Sequence, residues 1–212
     1  MSFADVVLLA GYLSLAVELF FFPVPSVASS RQLLSKEKGS ASAHTVLGKA
    51  RSLPLALKMV LLVLPTLLII ALFLLPPLFV FLPDLPPFLV PLLEPVPPWL
   101  PFLGALFVIA GRLLTFASTL ALRQARLQPL RGELDLPLQT GLLFRRSRNP
   151  GLLGMYLFFA GLLLYFPNVV LLAGFAGYLL HMHFRILMEE SHLTARYGRA
   201  YQRYCRETPR YL

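Results

Sequence analysis

The sequence predicts an all-α integral membrane protein of about five transmembrane helices, the last two a helical hairpin, with a cytoplasmic helical segment at the C-terminus. Three observations predict it. Of 212 residues, 57% are hydrophobic and 14% charged, and the mean hydropathy is +0.71. A soluble domain carries about 25% charged residues to cover itself in water, so the bilayer is the solvent that suits this composition. The apolar residues gather in runs near the roughly 20 residues that cross a bilayer as helix, and the cations fall between the runs. Residues 1–212 read as a single membrane domain, because about five spans leave little chain for anything else.

The first run, Phe3 to Phe22, follows no basic segment and precedes no small-residue cleavage motif, so it reads as a retained helix and not a signal peptide. The second, Leu55 to Leu82, carries Lys58 near its start and a Pro76–Pro77 pair expected to kink or end the helix. Pro83 to Pro101 is too rich in proline for regular helix and is expected to cap the extracytoplasmic end. Trp99 then opens the third run, which continues to Leu122, as an interfacial anchor. Leu152 to Phe166 and Val169 to Ile186 are separated only by Pro167–Asn168, a turn signal, hence the hairpin. The fourth run is short and is expected to extend back to Pro150, a residue suited to the first position of a helix. The Ser/Ala-rich basic loop from Pro23 to Ser52 is expected to lie partly ordered on the membrane surface.

The 19 Lys and Arg residues fix an orientation. Six lie between Arg31 and Lys58, six between Arg123 and Arg148, and six between Arg185 and Arg210, which leaves Arg112 alone in mid-span. The segments on the other side, Met1 to Phe22, Pro83 to Pro98 and the Pro167–Asn168 turn, carry Asp5, Asp84 and Glu94 but no cation. The positive-inside rule therefore places the N-terminus outside and the C-terminus in the cytoplasm. The net charge of +9 is a topology signal; its cations flank spans and are not interleaved with aromatics as in a nucleic-acid surface, so no nucleic-acid partner is expected. Arg112 is expected to face a polar interior, since an arginine facing lipid is costly. Cys205 is the only cysteine, can close no internal disulfide, and reads as an inert thiol.

Polar residues with chemical capacity are concentrated in the last third. Arg145 to Pro150 precede the fourth span, with Gly151 and Gly154 just inside it, and His181, His183, Arg185, Glu189 and Glu190 close the fifth. On one helix, His183, Glu190 and Tyr197 share a face at a spacing of seven, and Tyr201 and Tyr204 extend the stripe if Gly198 does not break it. A hairpin brings Arg148 and Asn149 beside Glu190. Glu189 lies four residues after Arg185, the spacing of an ordinary helix ion pair, whereas Glu190 has no such local partner. His181 and His183 point to opposite sides at a spacing of two, so no metal site is expected. Tyr201 and Tyr204 read first as interfacial anchors.

The stretch LQTGLLFRRSRNPGLLG, a helical pair, and MEESHLTARYGRAYQRYCRETPRYL together resemble the C-terminal half of the isoprenylcysteine carboxyl methyltransferase family and its prokaryotic relatives. The resemblance covers about Leu138 to Leu212, and Gly141, Arg148, Pro150, Gly154, Glu189, Glu190, Leu193, Gly198, Tyr201, Tyr204, Pro209 and Arg210 occupy matching positions. Asn149 stands where that family usually has histidine and Leu152 where it has tyrosine; Asn-Pro is similar to the phospholipid N-methyltransferases of the same broad superfamily.

The resemblance implies transfer of a methyl group from S-adenosylmethionine to a lipophilic acceptor among the membrane lipids, an isoprenylcysteine-like carboxylate or a lipid amine or carboxyl. It makes residues 138–212 the cofactor-binding core and leaves 1–137 a membrane-spanning part of unassigned specificity. It implies Arg148, Glu190 and Arg185 as catalytic, and Gly141, Arg148, Asn149, Pro150, Gly154, His183, Glu190, Tyr201 and Tyr204 as cofactor-binding. The chemistry agrees: the donor's α-ammonium seeks a carboxylate, and its carboxylate seeks arginine or helix N-terminal amides. Two other classes remain open on the residues: an NADPH-dependent reductase like the sterol reductases, whose motif reads Pro-Asn-Tyr where this chain has Pro-Gly-Leu, and a non-catalytic membrane scaffold. For the topology, reporter fusions after Leu93 and after Leu212 are expected to give opposite compartment signals; equal signals refute it.

Overall fold

The computed structural model describes residues 2–21, 55–81, 92–127 and 142–212. The loop from Pro23 to Ser52, the first part of the proline-rich stretch and Gly141 lie outside the described residues. Among the described residues the chain forms six helices and no strand: α1 (Phe3–Phe21), α2 (Leu55–Phe81), α3 (Trp99–Leu127), α4 (Leu142–Arg146), α5 (Pro150–Tyr165) and α6 (Val169–Glu207). Two stretches, Trp99–Arg123 and Val169–Ser191, are long and apolar enough to cross a membrane; α5, at 16 residues, and the described part of α2 from Leu67 to Phe81 are shorter apolar helices.

Burial is inverted relative to a soluble protein. Along α3, Phe102, Leu106, Ile109, Leu113, Phe116 and Leu120 recur at spacings of three and four and are all exposed, and Leu67, Ile70, Leu74 and Leu78 do the same on α2. A continuous outward apolar stripe of this size suits lipid and not water. The polar groups turn inward instead. Arg112, Thr115 and Ser118 on α3 are buried, as is Glu18 on α1.

Among the described residues the closest helix approach is between α3 and α5. Gly104 and Gly111 on α3 and Gly154 and Gly161 on α5 are each seven residues apart, a spacing that returns to nearly the same helix face. A Cβ at Gly111 would lie 2.5 Å from the Gly154 carbonyl oxygen and 2.5 Å from the Phe158 nitrogen; one at Gly161 would lie 2.6 Å from the Gly104 carbonyl oxygen. Backbone therefore meets backbone at two levels. Gly104 against Gly161 and Gly111 against Gly154 makes the pair antiparallel. At the same seam the hydroxyl of Thr115 donates to the Gly111 carbonyl at 2.9 Å and lies 3.4 Å from that of Gly151.

With α5 pressed on α3, its other side supplies the centre of the core. Phe158, Phe159 and Leu162 are fully buried against Leu8 and Leu15 of α1, Leu72 and Phe79 of α2, and Leu171 and Tyr178 of α6. Helix α6 packs along α2, and it touches α5 far less than α3 does. The two helices expected as a hairpin thus take most of their packing from other partners.

Several local expectations meet the structure directly. Helix α5 begins at Pro150, as its first-turn proline predicts. Asn168 works as a helix cap more than as a turn residue: its side-chain oxygen accepts from the backbone nitrogens of Val170 at 2.8 Å and Leu171 at 3.0 Å. Pro76–Pro77 does not end α2, which continues to Phe81. The missing donors fall in the last two turns, where Phe79 stacks on Phe166 at 3.8 Å and Pro76 is buried, and packing outweighs the lost bonds. Trp99 starts α3 as expected, and Pro101, the last residue of the proline-rich stretch, lies in its first turn. Trp99 is exposed, as an interfacial anchor would be.

The two ends of the bundle are chemically distinct. At one end Tyr165 donates to Asp5, and the Leu92 nitrogen donates to the Pro167 carbonyl at 2.9 Å. At the other lie Arg145, Arg146 and Arg148. Gly111→Ala is expected to force α3 and α5 apart and lower stability by about 1–3 kcal/mol, the range for overpacking. Gly177→Ala, where nothing lies within 4 Å of the added carbon, is expected to be neutral or mildly stabilising. Thermal unfolding of both variants in detergent checks the contrast.

Candidate functional site

The basic end of α5 and the far end of α6 meet because they are nearly equidistant from the turn between them. Arg148 lies 20 residues before Asn168 and Glu190 lies 22 after it, by subtraction of their numbers. Arg148 Nη1 is 2.9 Å from Glu190 Oε1, and the side chains are 11% and 15% exposed. This is the contact the sequence expected.

The third member of the cluster is a matching position in the sequence but not an expected site residue. Arg210 grips the same carboxylate in bidentate fashion, Nε to Oε1 at 3.0 Å and Nη2 to Oε2 at 2.7 Å. A planar guanidinium matched to both carboxylate oxygens is the strongest common form of this pair. The hydrogen bond to Glu190 also raises the Arg210 pKa above its ordinary value. Glu190 is thereby shared by two cations, and the cluster holds two guanidinium groups against one carboxylate.

Arg210 reaches Glu190 because α6 is not one helix to its end. Gly198 has φ 52° and ψ −125°, a conformation for glycine, and the chain changes direction there. The stripe from His183 through Glu190 to Tyr197 therefore does not run on to Tyr201 and Tyr204 as on a continuous helix. The redirected segment packs back on the start of α5. Tyr204 donates to the Phe144 carbonyl at 2.8 Å, which anchors α4. The Arg148 nitrogen donates to the Pro209 carbonyl at 3.0 Å, and Asn149 Nδ2 donates to the Arg210 carbonyl at 3.1 Å. The Ser147 hydroxyl is 3.4 Å from that same carbonyl and accepts from the Asn149 nitrogen at 3.1 Å.

Tyr201 and Tyr204 are buried, at 2% and 8% exposure, so they are not interfacial anchors. Burial raises the Tyr201 phenol above its ordinary pKa, with Cys205 and Glu190 adding to the shift. Burial also pushes Tyr204 up to about 12, against the pull of Arg148. Both stay protonated at neutral pH, and Tyr204 serves as a donor. Arg148 Nη1 lies 2.8 Å from the Cys205 sulfur.

The other expected site residues are placed as follows. His183 joins the periphery through Tyr211: Nδ1 lies 2.9 Å from the Tyr211 hydroxyl and the rings stack with centroids 6.3 Å apart. Tyr156, which the sequence reading passed over, extends this aromatic wall with its ring 6.2 Å from Tyr211 and 6.1 Å from Tyr178. Pro150 is buried at the start of α5. Gly154 faces the α3 seam, where an added Cβ would lie 2.3 Å from the Thr115 hydroxyl, so its role in the fold is packing. No hydrogen bond or ion pair joins Arg185 to Glu189 or to the Arg148–Glu190–Arg210 cluster, so the expected local pair is not formed. Gly141 lies outside the described residues.

Comparison with known proteins adds one decisive finding. Residues 99–200 match the phospholipid methyltransferase family. That family belongs to the isoprenylcysteine carboxyl methyltransferase-like superfamily, so the likeness seen in the sequence holds at the level of the superfamily. The matched stretch runs from the start of α3 through Glu190 and past Gly198, and so contains both Arg148 and Glu190. No curated protein and no solved structure matches the chain.

Gly198→Ala is expected to strain the redirection and cost about 1–3 kcal/mol, the range for a side chain held in a glycine-only conformation. Because nothing lies within 4 Å of the added carbon, the loss is conformational and not steric. Thermal unfolding in detergent, with protease sensitivity of the C-terminal segment as a second readout, checks it.

Proposed function

We propose that this protein is an S-adenosylmethionine-dependent membrane methyltransferase acting on a lipophilic acceptor. The observation that carries the reading is the Arg148–Glu190–Arg210 cluster lying at the start of α5, in a chain whose residues 99–200 match a phospholipid methyltransferase family. The cluster fits the cofactor on two counts. It has one cation in excess, which favours an anionic group such as the donor's carboxylate. Arg148 Nε is also buried with no hydrogen-bond partner, a donor short of an acceptor. Supply of a carboxylate oxygen there would satisfy it.

In this reading Arg148 and Arg210 hold the carboxylate, and Glu190 both orients the two guanidinium groups and offers an anion to the α-ammonium. The aromatic wall of Tyr156, His183 and Tyr211 supplies apolar faces for a heterocycle. S-adenosylmethionine, when bound, supplies an electrophilic methyl on a sulfonium. The protein's part is to hold donor and acceptor in line and keep water out, and orientation alone accounts for much of the rate in such transfers. Asn149 suits an acceptor of the phospholipid type, because Asn-Pro is the form that resembles the phospholipid branch. Five spans, an external N-terminus, a cytoplasmic site and a cofactor core over residues 138–212 complete the proposal.

Calorimetry of the detergent-purified protein against S-adenosylmethionine and NADPH tests it. Binding of the first is expected, and binding of NADPH alone would favour a reductase. Neither ligand binding would favour a scaffold. Glu190→Gln keeps the shape and removes the charge shared by Arg148 and the more exposed Arg210, so it is expected to weaken S-adenosylmethionine binding by about 2–5 kcal/mol, the cost of breaking a largely desolvated charge pair. Glu189→Gln, at an exposed position outside the cluster, is expected to change binding by less than about a factor of two. Parent-like binding by Glu190→Gln refutes the site assignment.

A further inference from the structure

Two polar centres lie within the bundle, and each is held together by ion pairs. One is the cluster at Arg148. In the other, between α1 and α3, Arg112 Nη2 meets Glu18 Oε2, Arg112 Nε donates to the Ser14 hydroxyl at 2.8 Å, and the Thr119 hydroxyl donates to Glu18 Oε1 at 2.6 Å. The Arg112 guanidinium lies over the Phe158 ring, 6.0 Å from its centroid. His181 on α6 has no such company. Its side chain is exposed, and among the described residues no hydrogen bond or ion pair engages its ring. His183, two residues on, points the other way, to Tyr211.

Counting along the apolar stretch Val169–Ser191, His181 is about 18 Å of helix from the start, well inside a hydrocarbon layer of about 30 Å. Apolar surface continues on both sides of it: Leu172 and Leu180 precede it, and Phe184 and Leu187, about one and two turns further on, are exposed as well. Water does not satisfy a donor and an acceptor at that depth, and an imidazole is too short to carry them out to the headgroups as a lysine or arginine would. The same face admits a close neighbour. Gly11, Gly104, Gly111, Gly154, Gly161 and Gly174 each sit at a contact where an added Cβ would come within 2.8 Å of another helix, whereas at Gly177, one turn before His181, it would meet nothing within 4 Å. A second helix can therefore bring its backbone against Gly177 and a polar side chain to His181, the means by which helices associate where lipid gives no hydrophobic drive.

The chemistry of the ring selects the neighbour. A neutral imidazole carries one donor and one acceptor, so the same residue on a second copy answers it with an N–H···N bond. An apolar partner would leave both nitrogens unmet, and a charged one would leave a net charge in hydrocarbon. We propose that the outer face of α6 pairs with the same face of a second copy about a two-fold axis, with the two Gly177 residues at the closest approach and the two His181 rings hydrogen-bonded to each other. The proposal does not depend on methyl transfer at Arg148 and Glu190.

The test uses the full-length protein with one fluorophore at its N-terminus, reconstituted in phosphatidylcholine vesicles over a range of protein-to-lipid ratios, with the copies in each complex counted by single-molecule photobleaching. The parent is expected to bleach in two steps. His181→Leu removes the hydrogen bond and Gly177→Leu blocks the approach, and each is expected to weaken the dimer by about tenfold or more. His181→Gln keeps a donor and an acceptor and is expected to hold the dimer, which separates loss of the bond from loss of the fold. Leu106→Ala, on the exposed face of α3, is expected to leave the count unchanged. One-step bleaching of the parent at every ratio overturns the proposal, as does a dimer that survives both Leu substitutions or one that His181→Gln and His181→Leu weaken equally.

Discussion

Contact between two backbones, at Gly104 against Gly161 and at Gly111 against Gly154, sets the geometry on which both polar centres depend. A bilayer provides no hydrophobic drive between helices, so close packing of small residues has to hold them together. The consequence is positional. Once α5 is keyed to α3 at two levels, its first turn is fixed with Gly151 against Ser118, and Arg148 is presented just before it. The keyed pair leaves a groove that α1 fills, its Gly11 against both Val108 of α3 and Phe158 of α5, and this carries Glu18 to Arg112. Side chains at the four glycines would move both centres together.

Electrostatics at the two centres differ in sign balance and in depth, and the difference decides what each can do. Glu190 is a hub that joins three chain segments: Arg148 before α5, its own helix, and Arg210 beyond the break at Gly198. Removing one partner from a buried pair costs more than the pair contributes, since it leaves a charge unmatched. The hub therefore acts chiefly as a constraint on the C-terminal segment, reinforced by the backbone bonds from Arg148 and Asn149 to Pro209 and Arg210. A ligand that competed for Glu190 would loosen that segment, and one that bound the arginines would tighten it.

Much of this was legible in the sequence, and the reasons are physical. Periodicity and charge placement gave the helical runs, Pro150 at a helix start, and the meeting of Arg148 with Glu190, because each depends on spacing along one helix or on arm lengths about one turn. Arg112 facing inward followed from the cost of a lipid-facing cation, but its partner did not, since Glu18 lies 94 residues away and nothing local selects it. Arg210 was missed as a site residue for a related reason. Its approach depends on the φ of Gly198, and a glycine in a helical pattern does not announce which way the chain will turn. Pro76–Pro77, expected to kink or end α2, does not end it: the helix runs on to Phe81, where Phe79 packs on Phe166. The five-span count and the hairpin rest on runs of apolar residues, of which the described structure has two of full length.

The phospholipid family match ends at residue 200, ten residues short of Arg210, so the matched region holds the carboxylate and one of its two arginines. With Arg148 alone, Glu190 would form a neutral pair, much as Glu18 does with Arg112, and would have little pull on an anion. The added cation comes from the segment after Gly198, and it is the same segment that covers the start of α5 through Tyr204 and Asn149. Charge excess and coverage are therefore supplied by one element. A chain that broke at Gly198 would lose both at once and be left with two balanced pairs, neither with an electrostatic preference for an anion.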